Sequence, residues 1–412
     1  MENRGERMHK WIICAVTWIV FSFFSACALP DLVSWEPVER LEEPHGSQET
    51  VPDINRKEEK QRPTALTTVK EIQETGYAFT YLSEEEKIWY PEILCGLQNM
   101  EDEVALSQEP IKAGLQGEDI DKVFQAVVFD HPELFYVNGY EYTGYQLGDK
   151  LVSLEFTGKY TCTPEEAAVR GAEIEVAATA VLDRLKGLTS QYDICKAVYE
   201  TLILETEYCL ESAENQNIYS VFVNHSSVCQ GYAKAFQYLC LRMGIDATLI
   251  VGKDYTGEGH AWNLVLLDGN YYLSDITWGE ANYKQDYPAD TVPEINYDFF
   301  LVTSEEMQHT HLDEMWYPLP KCVSRECNYF VQEGLYMEQY DETFLRQLFA
   351  GANAEEKQQV SIKFDTKELY LQVKDELVEQ GRIFALWDSG DKQLYYSSNE
   401  DVNTMTFWMT NE

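Results

Sequence analysis

The segment at residues 226–236 constrains this chain most strongly, because it places a cysteine where a loop turns into a helix. Apolar residues then recur with the period of a helix that buries one face, at Tyr232, Phe236, Leu239 and Met243. Ser226 and Ser227 are good cap residues, so Cys229 is predicted in or just before the first turn. Unpaired N–H groups at a helix start favour a thiolate over a thiol. Gly231 would leave room for another chain to approach the sulfur.

A second informative segment, residues 259–278, contains two β-rich runs around Asp268-Gly269, which is a strong hairpin signal. If these two residues form the turn, Asp275 lies diagonally opposite His260 on the same face, about 7 Å away between backbones. A three-residue loop would place Asp275 on the other face. In the first register the rest of that face is largely apolar, with Trp262, Leu264, Leu266, Tyr271 and Leu273.

These three residue types together predict nucleophilic catalysis. A thiolate attacks a carbonyl, an imidazole supports the thiolate and later protonates the leaving group, and a carboxylate orients the imidazole. Taken singly, each residue has a structural interpretation: free cysteines are often buried and inert, and a histidine or aspartate at a strand end is often structural or solvated.

Three sequence blocks resemble one known family. They are Val-Cys-Gln-Gly-Tyr-Ala at 228–233, Gly-His-Ala-Trp-Asn at 259–263 and Tyr-Tyr-Leu-Ser-Asp-Ile-Thr-Trp at 271–278. Together they resemble the core of the transglutaminase-like superfamily of papain-type thiol enzymes, over about residues 160–320. The resemblance implies an α+β fold in which a helix bearing the nucleophile packs on an antiparallel sheet.

By matching position, the resemblance implies that Cys229 is the nucleophile, His260 the general base and acid, and Asp275 the orienting group. It also implies acyl transfer at an amide, with water or an amine as the acceptor. Asn224 and Tyr219 are candidates for a side chain that assists the oxyanion, although either could be an ordinary loop residue. The backbone N–H of Cys229 is the other candidate donor.

The first 27 residues have the form of a secretory signal. Basic residues precede an uncharged apolar run at 11–26, which is short for a membrane-spanning helix. The end of this run, Phe-Ser-Ala-Cys at 24–27, resembles the lipid-attachment box of bacterial lipoproteins and predicts Cys27 as the attachment site. An ordinary cleaved signal or an uncleaved anchor is the alternative. Each interpretation places the rest of the chain outside the cytoplasm.

The formal net charge of −40 argues against two classes of direct partner, nucleic acid and anionic lipid head groups. Residues 28–63 are rich in Glu and Pro without a sustained period, which is typical of a flexible tether. The predicted membrane contact is therefore the N-terminal lipid anchor alone.

The remainder divides into three predicted domains: an N-terminal accessory domain at 64–159, the catalytic core at 160–320 and a small α+β domain at 321–412. The first has helices at 82–97 and 119–129, followed by strands to 156. Helices at 163–186 and 190–206, a strand at 246–251 and a loop at 252–259 are predicted in the core. The last has helices at 342–350 and 367–379, with strands at 359–364 and 382–387.

Metal and cofactor signals are weak. His309 and His311 with Asp313 lack a further partner at ligand spacing, so no metal site is predicted. Phosphate loops and dinucleotide fingerprints are absent from the sequence, and no cofactor is predicted. Cys322 and Cys327 are spaced to bridge locally.

The sequence favours an exported thiol enzyme that acts on amide bonds of peptides, proteins or cell-wall peptide, as a peptidase, deamidase or cross-linking enzyme. The alternative is a non-catalytic cell-surface module that keeps the same fold for binding or a structural role.

Overall fold

The structure is a computed structural model that describes residues 8–13, 76–280, 295–388 and 393–410. Helices and strands are mixed along the chain, which confirms the predicted α+β class. Across these four ranges, no helix combines the length and the apolar character needed to cross a membrane. Cys27, the predicted tether at 28–63 and most of the predicted leader lie outside the described residues. Residues 8–13 of that leader form a strand paired with residues 142–147, which differs from the predicted signal segment.

The N-terminal part packs helices against an antiparallel sheet with strand order β1-β3-β4-β2. A capping box opens its first helix, since the Glu86 N–H donates to Ser83 Oγ at 3.1 Å and the Ser83 N–H donates to the Glu86 carboxylate at 2.7 Å. Its elements are β1 (Met8–Ile13), α1 (Glu86–Gln98), β2 (Val104–Ala105), α2 (Gln108–Ala113), α3 (Asp119–Asp130), β3 (Val137–Leu147) and β4 (Lys150–Tyr160).

The central part packs a group of helices on one face of a second antiparallel sheet, with strand order β10-β7-β8-β9. The predicted cap at Thr163 is confirmed as a capping box with Glu166. The elements before the sheet are α4 (Pro164–Leu185), α5 (Gln191–Glu205), β5 (Glu207–Tyr208), α6 (Ile218–Phe222), β6 (Ser226–Ser227) and α7 (Cys229–Arg242). The sheet and the helix before its last strand are β7 (Ala247–Asp254), β8 (Gly259–Leu267), β9 (Asn270–Ser274), α8 (Ser304–Met307) and β10 (His311–Asp313).

The β8–β9 hairpin has the predicted two-residue turn. Leu267 pairs with Asn270 across the turn, and Asp268 and Gly269 both have positive φ, 49° and 83°. Two positive φ angles match the twist of the flanking strands in a type I′ turn. This register is the one that places Asp275 on the same face as His260.

The predicted loop at 252–259 is shorter than expected. Strand β7 continues to Asp254 and β8 begins at Gly259, so a turn of four residues remains. The extension is supported by β10, whose residues His311 to Asp313 pair with Asp254 to Gly252. The Asp254 carboxylate also accepts the Thr256 N–H at 2.8 Å, which closes the turn.

The C-terminal part is a third sheet, with strand order β11-β12-β14-β13, covered by helices. The predicted strand at 382–387 is wrong, because residues 383–386 form a helical turn. Ile383 and Trp387 are buried four residues apart while Phe384 is 66% exposed, a helical pattern and not an alternating one. The elements are α9 (Tyr329–Gln332), β11 (Tyr336–Met337), α10 (Glu342–Ala354), β12 (Gln359–Phe364), α11 (Lys367–Lys374), α12 (Ile383–Leu386), β13 (Gln393–Asn399) and β14 (Thr404–Thr410).

Candidate active site

Cys229 is the first residue of α7, and Val228 occupies the cap position without a side-chain hydrogen bond to the helix. The two serines predicted as caps lie in β6 instead. Ser227 Oγ donates to the Asn215 carbonyl at 2.7 Å, and the Val228 N–H donates to the same oxygen at 3.1 Å. The first turn therefore keeps N–H groups that no capping side chain occupies, which is the environment that favours a thiolate.

Gly231 is required for packing within the chain, and the predicted approach of another chain to the sulfur stays a prediction. A Cβ at this position would lie 2.0 Å from Ser227 Oγ and about 3 Å from the Asn215 and Asn217 carbonyl oxygens. The missing side chain thus accommodates the preceding loop of the same chain. This contact fixes the loop against the first turn of α7 and holds Cys229 at the helix start.

His260 and Asp275 meet as the hairpin register predicts. His260 Nε2 lies 2.6 Å from Asp275 Oδ2, and both side chains are buried. Asp275 Oδ1 accepts the Trp278 N–H at 3.1 Å. Burial alone would raise the pKa of Asp275, but the charges and hydrogen bonds of His260 and His311 hold it well below its usual range. The carboxylate is therefore ionised, so His260 must donate its Nε2 proton to it.

The Cys229 thiol lies close enough to His260 to contribute to the raised pKa of that ring. Because Nε2 is committed to Asp275, Nδ1 is the ring nitrogen left for the sulfur. Burial would lower the pKa of His260, but the charge and hydrogen bond of Asp275, together with the Cys229 sulfur, raise it well above its usual value. A raised pKa favours the protonated ring, which a thiolate–imidazolium pair requires.

His311 joins this group although the sequence did not associate it with the triad. Its Nε2 lies 3.0 Å from Asp275 Oδ2, and its Nδ1 lies 2.8 Å from Thr310 Oγ1. His309 and Asp313, which the sequence grouped with His311, are exposed on either side of it. Only the pairing of β10 with β7 brings His311 to the site, and the local sequence carries no signal for that pairing.

The side chains of His260, Asp275 and His311 offer ligand atoms within 4.8 Å of one another. The two distances to Asp275 Oδ2, 2.6 and 3.0 Å, are hydrogen-bond lengths. Tetrahedral zinc, with bonds of about 2.0 Å to nitrogen and oxygen, separates its ligand atoms by about 3.3 Å. The three groups would have to move apart to hold an ion, so the arrangement fits a hydrogen-bonded network better than a metal centre.

The two predicted oxyanion side chains have other surroundings. The Tyr219 hydroxyl donates to Glu173 at 2.9 Å, and the Arg170 guanidinium lies over its ring. Asn224 is exposed. The sequence did not single out Gln230, whose fully buried amide has no hydrogen-bond partner among the described residues. An unpaired amide beside the nucleophile is a donor available to a bound ligand.

The Cys229 thiol is closed off from solvent, since the residue is 1% exposed. It lies in one apolar cluster with helices α1 and α3 of the N-terminal part and with Tyr317. The Gln237 side chain of α7 donates to the Phe129 carbonyl at 2.7 Å, which ties α3 to the nucleophile helix. A peptide can reach the sulfur only when some of these covering groups move.

The other cysteines that the sequence analysis paired are not bridged. Cys322 and Cys327 are both buried free thiols. Cys327 belongs to the helical core and Cys322 to a separate apolar cluster, so the two side chains pack in different places despite their short separation in sequence.

Comparison with known proteins gives one family for this region. Residues 179–278 match the model of the transglutaminase-like superfamily, a range that contains all three sequence blocks. The predicted resemblance is confirmed for this segment. Over 117 residues the chain is 27% identical to a kyphoscoliosis peptidase of Mus musculus, a match that covers 24% of this chain and 18% of that protein. The chain thus spans less than a fifth of the curated relative.

Two solved structures are also similar to part of the chain. A crystal structure described as a TGase is 14% identical, with a TM-score of 0.26, over 42% of this chain and 53% of that one. The periplasmic domain of TgpA from Pseudomonas aeruginosa is 13% identical, with a TM-score of 0.23, over 35% of this chain and 62% of that one.

Proposed function

We propose that this chain, whose residues 179–278 match the transglutaminase-like superfamily, is an exported thiol enzyme that transfers acyl groups at amide bonds. The observation that carries the proposal is the buried 2.6 Å hydrogen bond between His260 and Asp275, with the Cys229 thiol close enough to contribute to the raised pKa of His260. Its members come from a helix start and a β-hairpin, at positions where each side chain has a distinct chemical task.

In the proposed reaction the Cys229 thiolate attacks the amide carbonyl carbon and forms a tetrahedral intermediate. The C–N bond then breaks, and the leaving amine takes the proton from His260 Nδ1, so that a thioester remains. Water or an amine attacks the thioester while His260 accepts its proton, and the thiolate departs. Asp275 keeps the ring oriented with Nε2–H directed at Oδ2 and stabilises the imidazolium in each half-reaction.

The negative charge on the intermediate needs hydrogen-bond donors. We assign this task first to the Cys229 backbone N–H, which lies at the open start of α7. The Gln230 amide is a second candidate, because burial without a partner is costly unless a ligand supplies one. Asn224 and Tyr219, the candidates proposed from the sequence, have less support. Asn224 is exposed, and the Tyr219 hydroxyl already donates to Glu173.

The acceptor can be determined with a glutaminyl peptide and the full chain. Incorporation of a primary amine would identify a cross-linking enzyme, ammonia release a deamidase, and chain cleavage a peptidase. We expect Cys229→Ala to abolish the product and Cys240→Ala, on the same helix, to retain it. Turnover by Cys229→Ala would contradict the proposal.

A non-catalytic binding module is the second candidate. The 1% exposure of Cys229, inside an apolar cluster that includes the N-terminal helices, favours it, because a closed thiol cannot meet a substrate without a conformational change. This candidate predicts that ligand binding survives Cys229→Ala unchanged and that no substrate class gives turnover.

The proposed location is outside the cytoplasm, with a lipid on Cys27. Metabolic labelling with palmitate in a bacterial host tests the anchor. Labelling that is lost in Cys27→Ala supports lipid attachment, and unlabelled protein in the medium would favour a cleaved signal.

A further inference from the structure

We infer that His311 is a positioning residue for the proposed reaction: it shares the Asp275 carboxylate with His260 and thereby fixes the orientation of the catalytic imidazole. The inference rests on the proposed function of Cys229 and His260. It concerns a residue outside the three sequence blocks and goes beyond the roles assigned to them.

The geometry of Asp275 supports this role. Its carboxylate receives donors from three segments: His260 on β8 at 2.6 Å, His311 on β10 at 3.0 Å, and the Trp278 backbone N–H at 3.1 Å. The two histidines share Oδ2, and Trp278 takes Oδ1. Three donors from separate elements prevent rotation of the carboxylate, which a single histidine would not do.

The protons can be assigned from these contacts. An ionised carboxylate only accepts, so both His260 and His311 carry a proton on Nε2. The Nδ1 atom of His311 lies 2.8 Å from the Thr310 hydroxyl, which also donates to the Met307 carbonyl at 3.4 Å. This chain of hydrogen bonds holds the His311 ring in place and, through Asp275, directs Nδ1 of His260 to the sulfur.

The surroundings of His311 hold its ring in place. Its side chain is fully buried, and ring centroids of Trp262, Trp278 and Phe299 lie 4.9, 4.6 and 5.4 Å away. The aromatic contacts give the residue a packing role as well. A test must therefore separate loss of the hydrogen bond from loss of the ring.

Two variants make this separation. His311→Phe keeps a ring but removes the donor to Asp275, whereas His311→Gln can place an amide N–H near the position of Nε2. We expect His311→Phe to lower the rate of Cys229 alkylation by iodoacetamide about tenfold, the size typical of outer partners that orient a histidine. We expect His311→Gln to recover most of that rate.

The Nε2–H of His260 provides a readout that packing alone would not move. In ¹⁵N-histidine-labelled protein, we expect the wild type to show one strongly hydrogen-bonded Nε2–H signal for His260, and His311→Phe to lose this single state. If His311→Phe does not fold, Thr310→Val removes the donor to Nδ1 with little change of volume, and a smaller loss of alkylation rate is expected.

The outcomes distinguish this inference from the proposed function. Wild-type protein whose Cys229 does not react faster than an ordinary thiol would contradict the proposed function itself. A reactive wild type, with equal alkylation rates and an unchanged His260 Nε2–H signal in folded His311→Phe, would overturn the positioning role alone. Failure of His311→Gln to recover the rate would also overturn it, because the hydrogen bond would then not be the cause.

Discussion

Two buried cysteines near opposite ends of helix α7 differ in their partners. Cys240, near the C-terminal end, is fully buried, and burial followed by a hydrogen bond to Cys195 raises its pKa well above the usual value. Cys229, at the N-terminal end, is almost as buried but lies close enough to His260 to contribute to the raised pKa of that ring. The two thiols of one helix thus share burial and differ in the charged group beside them.

The difference arises from what each end of α7 packs against. Cys240 lies among the apolar side chains of the helical core, where a thiolate would have no compensating charge. Cys229 faces the sheet strand that carries His260, and the helix start adds its own unpaired N–H groups. The following predictions examine this contrast, beginning with the largest expected effect.

Removing the imidazole should remove most of the difference between the two thiols. We expect His260→Ala to slow alkylation of Cys229 at pH 6 by on the order of 100-fold, because an ordinary thiol is almost entirely protonated there. Cys240 should be unaffected. Peptide mass spectrometry after timed labelling measures both sites in one sample, and an unchanged Cys229 rate would show that His260 does not activate it.

The first turn of α7 should tolerate no added side chain. Gly231→Ala places a Cβ against Ser227 Oγ and two backbone carbonyls, so we expect a loss of about 1–3 kcal/mol in the free energy of unfolding. Gly351→Ala on α10 is the matched control, because no atom lies within 4 Å of its Cβ position. It should stabilise by about 0.5–1 kcal/mol. Urea denaturation measures both, and equal effects would argue against tight loop packing at the nucleophile.

Replacing each cysteine with alanine should separate stability from activity: loss of the Cys240 thiol should mainly lower stability, and loss of the Cys229 thiol should mainly abolish turnover. We expect Cys240→Ala to destabilise by about 1–2 kcal/mol through a cavity in the core, with alkylation of Cys229 retained. Cys229→Ala should cost less than about 1 kcal/mol while abolishing turnover. A loss at Cys229→Ala as large as that of a core truncation would favour the structural interpretation of this residue.

The pH dependence of stability should reveal the charged histidine. The pKa of His260 is raised in the folded state above its unfolded value of about 6.5. Its stabilising contribution is therefore full below pH 6.5 and is lost as the pH rises through the folded pKa. We expect the wild type to have a larger free energy of unfolding than His260→Gln at pH 6. This difference should shrink by on the order of 1 kcal/mol once the pH exceeds the folded-state pKa of His260. A pH-independent difference would contradict a charged His260.

Local patterns predicted much of the candidate site. Helical periodicity located α7, and the Asp268-Gly269 turn determined the register that brings Asp275 to His260. His311 was not predicted, because it enters through a three-residue strand paired with β7 over a separation that no local pattern records. Burial of Cys229 against α1 and α3 likewise depends on packing between distant segments.

The errors had local causes. Residues 383–387 form a short continuous apolar run that resembles a buried strand, yet Ile383 and Trp387 are buried as i and i+4 of a helical turn. The serines before Cys229 fit a helix cap by residue type, but the Ser227 hydroxyl donates to the Asn215 carbonyl instead of accepting a helix N–H. In both cases tertiary contacts overrode a short-range preference.

The most direct test of a histidine-activated nucleophile is competitive alkylation of the wild-type protein at pH 6 with limiting iodoacetamide. The account predicts that Cys229 is modified first and that Cys240 stays unmodified while the protein remains folded. Equal, slow modification of both cysteines, or modification of Cys229 only at the pH of an ordinary thiol, would contradict it.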